Sequence, residues 1–190
     1  MRLSERLDAG LARLGGTLLL PPLILLIPWG QELIDQVLFG GRWNLPMSPG
    51  GSFIGVLTAP FSHGGFGHLL ANSLLFLPLS WLVLLRGRRD YLAVWLWVYV
   101  TAIPVWLLWP TASHGLSGVV YGLLGYLLWS GWLEKRPLPI LLSVVCLLSF
   151  GGLLPSLIPL FSPAGVSWIG HASGFAGGAL AAWSRASQPR

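Results

Sequence analysis

Five polar residues in an otherwise apolar chain have the types and spacing for hydrolytic chemistry. Ser117 stands in His-Gly-Leu-Ser-Gly-Val-Val-Tyr-Gly-Leu-Leu-Gly, residues 114–125, and His171 in Gly-His-Ala-Ser-Gly-Phe-Ala-Gly-Gly, residues 170–178. A serine hydroxyl is a weak nucleophile unless a base lies within about 2.6–3.2 Å, and His171 is the candidate base. Ser117 is expected in the first turn of a helix, where backbone N–H groups lack intrahelical acceptors and the dipole favours negative charge. Those are the conditions that stabilise an oxyanion. His68 and Asn72 are four residues apart, as are Ser117 and Tyr121, so each pair shares one helical face. No acid can be placed near His171, which favours a Ser-His dyad over a triad. Tyr121, one turn below Ser117, is then the group that could hold the imidazole by ring contact, in the orienting role an acid plays in triads. His68 and Asn72 become candidate oxyanion donors.

The elements that must position these groups follow from composition. The chain has 190 residues, with 11 Lys or Arg and 6 Asp or Glu, so only 9% are charged; a soluble domain carries about 25%. Hydrophobic residues make up 54%, and 25 Gly and 11 Trp are the types enriched in membrane helices and at membrane interfaces. Mean hydropathy is +0.73. A span needs about 20 apolar residues, which leaves no room for a sizeable extramembrane domain. The chain is therefore expected to be one all-α membrane domain over residues 1–190. The single Cys146, inside an apolar run, excludes an internal disulfide and a thiolate metal cluster.

Six apolar runs are the expected spans, at about 14–29, 67–85, 91–109, 116–133, 138–154 and 166–183. The first is short, contains Pro21 and Pro22 and lacks an Ala-x-Ala-like cleavage site; it reads as a retained, kinked helix rather than a signal peptide. Ten of the eleven basic residues (Arg2, Arg6, Arg13, Arg86, Arg88, Arg89, Lys135, Arg136, Arg185 and Arg190) fall on one side of this scheme and only Arg42 on the other. The asymmetry predicts both termini inside. The first outer loop, about Gly30 to Phe66 with Glu32 and Asp35, is too long to be a bare connector. In this topology His68, Asn72, Ser117, Tyr121 and His171 all lie towards the outer face. Gly118, Gly122 and Gly125 on the fourth span oppose Gly170, Gly174 and Gly178 on the sixth, thin faces that permit close helix approach.

Gly-x-Ser-Gly at 115–118 with Tyr121, the pattern His63-x4-His68-x3-Asn72 at the start of the second span, and Gly170-His171 in the last together resemble the rhomboid family of intramembrane serine proteases. The resemblance covers almost the whole chain. It implies a six-helix bundle that cleaves transmembrane segments of other membrane proteins near the outer face. Ser117 would be the nucleophile, His171 the base and Tyr121 its packing partner. The Ser117 amide, His68 and Asn72 would form the oxyanion hole, and His63 would be structural. The substrate helix would enter sideways between the second and fifth spans, under a loop that here contains Gly151, Gly152, Pro155, Pro159 and Pro163. One departure is clear. Family members often carry a Trp-Arg pair in the first loop shortly before the histidines, whereas this chain has Phe53-Ile54-Gly55-Val56 there and a reversed Arg42-Trp43 upstream.

Other classes fit less well. A b-type haem needs axial histidines facing each other across a bundle, but His68 and His171 share a leaflet with Ser117 and Asn72. A transporter gathers polar groups at the midplane. The scattered basic residues read as topology signals, not a nucleic-acid surface. His63 and His114 fall in outer loops, where histidines are commonly solvated or capping. No metal or cofactor is implied. The partners expected are transmembrane protein substrates and the bilayer, in a multi-pass protein of the bacterial inner membrane. The rival reading is a rhomboid-like protein that binds membrane clients without cleaving them.

Overall fold

The computed structural model describes the backbone of residues 3–188 and the side chains of residues 15–188. Arg2 and Arg190 lie outside the described residues, as do the side chains of Arg6 and Arg13. Among the described residues the regular structure is helical, with one isolated antiparallel bridge between Met47 and Ser113 in the connecting loops. Helix α1 spans Leu3–Ile34 and runs into a π-helical turn, Asp35–Phe39. A short helix α2 (Ile54–Thr58) and a 3-10 turn (Ala59–Phe61) lead to α3 (Phe66–Leu84). Then follow α4 (Arg88–Leu108), α5 (Ser117–Glu134), α6 (Pro137–Phe150), the 3-10 segments Gly151–Leu157 and Pro159–Phe161, and α7 (Trp168–Ala186).

Four of the described segments are long and apolar enough to cross a membrane: Gly15–Phe39, Phe66–Leu84, Arg88–Leu108 and Pro137–Leu157. Their outward faces are greasy, with Leu23, Leu92, Leu96, Leu141 and Leu148 exposed, as lipid requires. Prolines 21, 22 and 28 in α1, 78 in α3 and 104 in α4 stay inside helices, a placement that neighbouring helices and local backbone adjustment make tolerable in membrane proteins. Helices α5 and α7 are 18 and 19 residues long but diluted by Gly, Ser and Trp. Their composition serves packing. Val119 to Leu127 of α5 are all buried, and α5 is enclosed by α3, α4, α6 and α7.

The α5–α7 contact is at backbone distance. A methyl group at Gly174 would overlap the Gly118 carbonyl, one at Gly178 the Gly122 carbonyl, and one at Gly125 the Phe175 carbonyl. The glycines are what let the helix bearing Ser117 lie against the helix bearing His171.

The first helix differs from expectation. It does not stop at residue 29: the apolar segment continues through Gly15–Phe39, and each of the two carboxylates after Trp29 finds a donor for one of its oxygens inside the protein. Glu32 and Asp35, expected in the outer loop, are fully buried. Glu32 Oε1 accepts from Gln36 Nε2 at 2.8 Å, and Asp35 Oδ1 accepts from the Trp43 amide at 2.6 Å. Asp35 thus turns the chain into the loop that follows. That loop is ordered by Leu45 N–H to Ser62 Oγ (2.9 Å) and by paired Met47–Ser113 backbone bonds of 2.9 Å. Met47, Val56 and Ala59 pack on Val105 of α4. Trp43 of the reversed pair packs at a tilt against Phe39, centroids 5.2 Å apart.

At the opposite end of the bundle, Arg86 bonds Glu134 at 2.5 Å and Arg185 bonds Asp90 at 3.1 Å. The first pair is buried. The first ties the connection after α3 to the end of α5, and the second ties the start of α4 to the end of α7.

Candidate functional site

Ser117 opens α5. The loop before it is held by the Gly115 amide donating to Ala59 C=O (2.8 Å) and the Leu116 amide donating to His63 Nε2 (3.1 Å). His63, structural by the family resemblance although loop histidines are commonly solvated or capping, is fully buried. Burial first, and then the neighbouring His68 and His114, push its pKa down to about 3. A neutral imidazole can accept with Nε2, so His63 is the fixed acceptor that orients the turn into α5. Val119 and Val120 both donate to Leu116 C=O. Among the described residues the amides of Ser117 and Gly118 have no acceptor, the expected condition of a helix N-terminus.

Gly115 sits at φ +115°, and a Cβ there would lie 2.9 Å from His68 Cε1, 3.1 Å from His68 Nε2 and 3.7 Å from Asn72 Nδ2. Only glycine fits on both counts. The absent side chain brings the His68 and Asn72 face of α3 against the backbone just before Ser117. Asn72 Nδ2 is buried and makes no hydrogen bond among the described residues. In a protein interior such a donor is costly unless something else occupies it.

His171 is in the first turn of α7, whose start is capped by Ser167 Oγ accepting from the Gly170 amide at 3.2 Å. Its ring is 7% exposed and stacks on Tyr121, with centroids 4.1 Å apart and planes 19° from parallel. Ser117, His171, His68 and His114 line one cavity of about 250 Å³, together with Ser113, Ser167 and the backbone of Gly64 and Gly165. Among the described residues Ser117 Oγ makes no hydrogen bond to His171. The imidazole's Nδ1 instead lies 3.3 Å from Ser156 Oγ. His114 edges towards His68 (centroids 6.4 Å), and its pKa is lowered by burial and by His68.

The structure thus gathers Ser117, His171 and His68 round one cavity, with Tyr121 behind His171 and Asn72 behind Gly115. Two residues were not foreseen there. His114 lines the cavity although it lies in a loop, and Ser156 touches His171 from the segment between α6 and α7; a lone hydroxyl in the Pro155-Ser156 step carries no spacing signal. Three or more His, Cys, Asp or Glu arranged to hold a metal are not found among the described residues.

A sequence model described as the Rhomboid domain matches residues 50–188. The chain belongs to the rhomboid family. The matched stretch contains all five candidate residues and every helix that positions them. Uncharacterized proteins of Mycobacterium tuberculosis and Mycobacterium bovis are each 34% identical to this rhomboid over 185 residues, covering 89% of this chain and 74% of theirs. A protein of Acanthamoeba polyphaga mimivirus, named as a rhomboid, is 29% identical over 153 residues, covering 77% of this chain and 82% of its own. Family membership and apolar helices together make this rhomboid an integral membrane protein.

Proposed function

We propose that this rhomboid is an intramembrane serine endopeptidase working through Ser117 and His171. The observation that carries the reading is the shared cavity: a serine with unpaired backbone amides beside it faces a histidine whose ring is held by a stacked tyrosine. In this mechanism a substrate carbonyl enters beside Gly115, and Ser117 Oγ attacks it while His171 takes the hydroxyl proton. The tetrahedral oxyanion forms near the Ser117 and Gly118 amides, His68 and Asn72 Nδ2, all groups that gain a partner only then. That is differential binding of the transition state. His171 next protonates the leaving amine, and water admitted through the cavity releases the acyl group with His171 again as base. The missing direct Ser117–His171 bond is compatible with this course, because catalytic hydrogen bonds are often loose before substrate binds.

The remaining parts of the proposal concern placement. Helices α5 and α7 complete a six-span bundle with α1, α3, α4 and α6, and with both termini on the basic, inner side of a bacterial plasma membrane. The cavity then opens near the outer face, and the substrates are transmembrane segments of other proteins. Labelling with a fluorophosphonate probe tests the dyad. Wild type in detergent or bilayers should react, and Ser117→Ala and His171→Ala should not. A well-folded wild type that never reacts would leave a rhomboid that binds membrane clients without cleaving them.

A further inference from the structure

Resting on the reading of His171 as the base, we propose that Ser156 is a positioning residue: it receives the Nδ1 proton of His171 and so leaves Nε2 bare. The hydrogen count supports this direction. A serine hydroxyl has one proton and two lone pairs. Ser156 Oγ lies 2.8 Å from the Leu153 carbonyl, which can only accept, and 3.3 Å from His171 Nδ1. The single proton belongs with an acceptor nearer than the imidazole. The Tyr121 hydroxyl bonds both Ser156 Oγ and the Leu153 carbonyl, the latter at 3.1 Å. If it donates to Ser156 Oγ, the serine proton goes to the Leu153 carbonyl; if it donates to Leu153, the serine proton goes to the tyrosine oxygen; either way Ser156 Oγ keeps a lone pair that the Nδ1 proton of His171 can fill.

The consequence is a defined tautomer. With Nδ1 protonated, Nε2 is the basic nitrogen of a ring that lines the same cavity as Ser117. In a triad an acid selects the tautomer; here a hydroxyl on the 3-10 segment Gly151–Leu157 does so, anchored to that segment's own backbone and to Tyr121. The groups facing His171 are Tyr121 from α5, Ser156 from the 3-10 segment, and, across the cavity, His68 from α3 and His114 from the loop before α5. None is a carboxylate, so no other group in this set can select the tautomer by charge.

The test is nitrogen NMR of the full chain carrying 15N-histidine, which contains four histidines, with His171 assigned from the His171→Asn spectrum. At a pH above the imidazole titration, wild type should show one tautomer, protonated at Nδ1. Ser156→Ala should show both tautomers exchanging, and Ser156→Thr should restore the single form. In parallel, the fluorophosphonate labelling rate should fall about tenfold in Ser156→Ala and recover in Ser156→Thr, the loss expected for one neutral hydrogen bond. If Ser156→Ala does not fold, Ser156→Cys, with a weaker acceptor of similar size, takes its place. An Nε2-protonated His171 in wild type, or an unchanged tautomer and rate in the variant, would overturn the assignment. A wild type that never labels but loses its tautomer in Ser156→Ala would refute the protease reading and leave Ser156's hold on the imidazole standing.

Discussion

Gly174→Ala is the substitution that most directly asks whether helix contact makes the site. The added methyl would overlap the Gly118 carbonyl oxygen and stand 2.8 Å from the Gly118 carbonyl carbon and 3.0 Å from its Cα, where ordinary contact begins at 3.4 Å. The obstacle is backbone, so no side-chain rotation relieves it. Restoring normal contact requires α5 and α7 to part by on the order of 1 Å. Overpacking of this kind destabilises by about 1–3 kcal/mol, partly offset by the gain of about 1 kcal/mol for Ala over Gly in a helix. The larger effect falls on chemistry. Gly118 adjoins Ser117 and Gly174 lies three residues from His171, so the gap opens between the proposed nucleophile and base, and a 1 Å misplacement costs roughly 10²-fold in rate. The assay is the fluorophosphonate labelling rate beside the melting temperature, with Gly30→Ala as control, since a methyl there meets nothing within 4 Å. A folded Gly174→Ala protein labelling at the wild-type rate would refute the claim that backbone contact sets the dyad.

Asn72→Ala removes a buried donor that has no partner at rest; labelling should slow by roughly 10²–10³-fold with no loss of melting temperature. His63 holds its neutral form down to about pH 3 when folded, whereas an unfolded histidine gains its proton near pH 6.5. Its contribution is fully present above pH 6.5 and is lost as pH falls towards 3, by up to about 1.4 kcal/mol per pH unit. A series of melting temperatures should therefore slope more steeply in wild type than in His63→Gln, whose amide oxygen can still accept from the Leu116 amide. Glu134→Gln leaves the buried Arg86 guanidinium without its counter-charge and should cost about 3–5 kcal/mol. Melting temperature reads that loss, while the labelling rate of the folded fraction stays at the wild-type value because the pair lies at the far end of the bundle.

The polar residues that share one cavity, Ser117, His171 and His68, could be picked out from the sequence because few polar groups share those helices. Hydrophobic runs placed the starts of α3, α5 and α7 within two residues, since Gly65, Gly115 and Gly165 break the chain near those points. The opposed glycines gave the reason for the α5–α7 contact. What could not be read was anything decided by a distant partner. Glu32 and Asp35 look like loop residues because carboxylates rarely lie in apolar helices; Gln36 and the Trp43 amide make them tolerable. His63 looks solvated until the Leu116 amide, 53 residues away, is brought to it. Ser156 lies in an irregular segment where no periodicity assigns a face, and only the fold sets it beside His171.

The burial of α5 also bears on how the protein is made. The helices that carry Ser117 and His171 are the two whose glycine and serine faces suit protein contact better than lipid. A chain that enters the bilayer segment by segment would therefore hold α5 poorly until α7 arrives to cover its glycine face. Ser117 and His171 belong to separate pieces of the chain, so under the proposed mechanism a chain ending before α7 has a serine with no base to activate it. Under that mechanism, assembly of the bundle and readiness for hydrolysis become the same event.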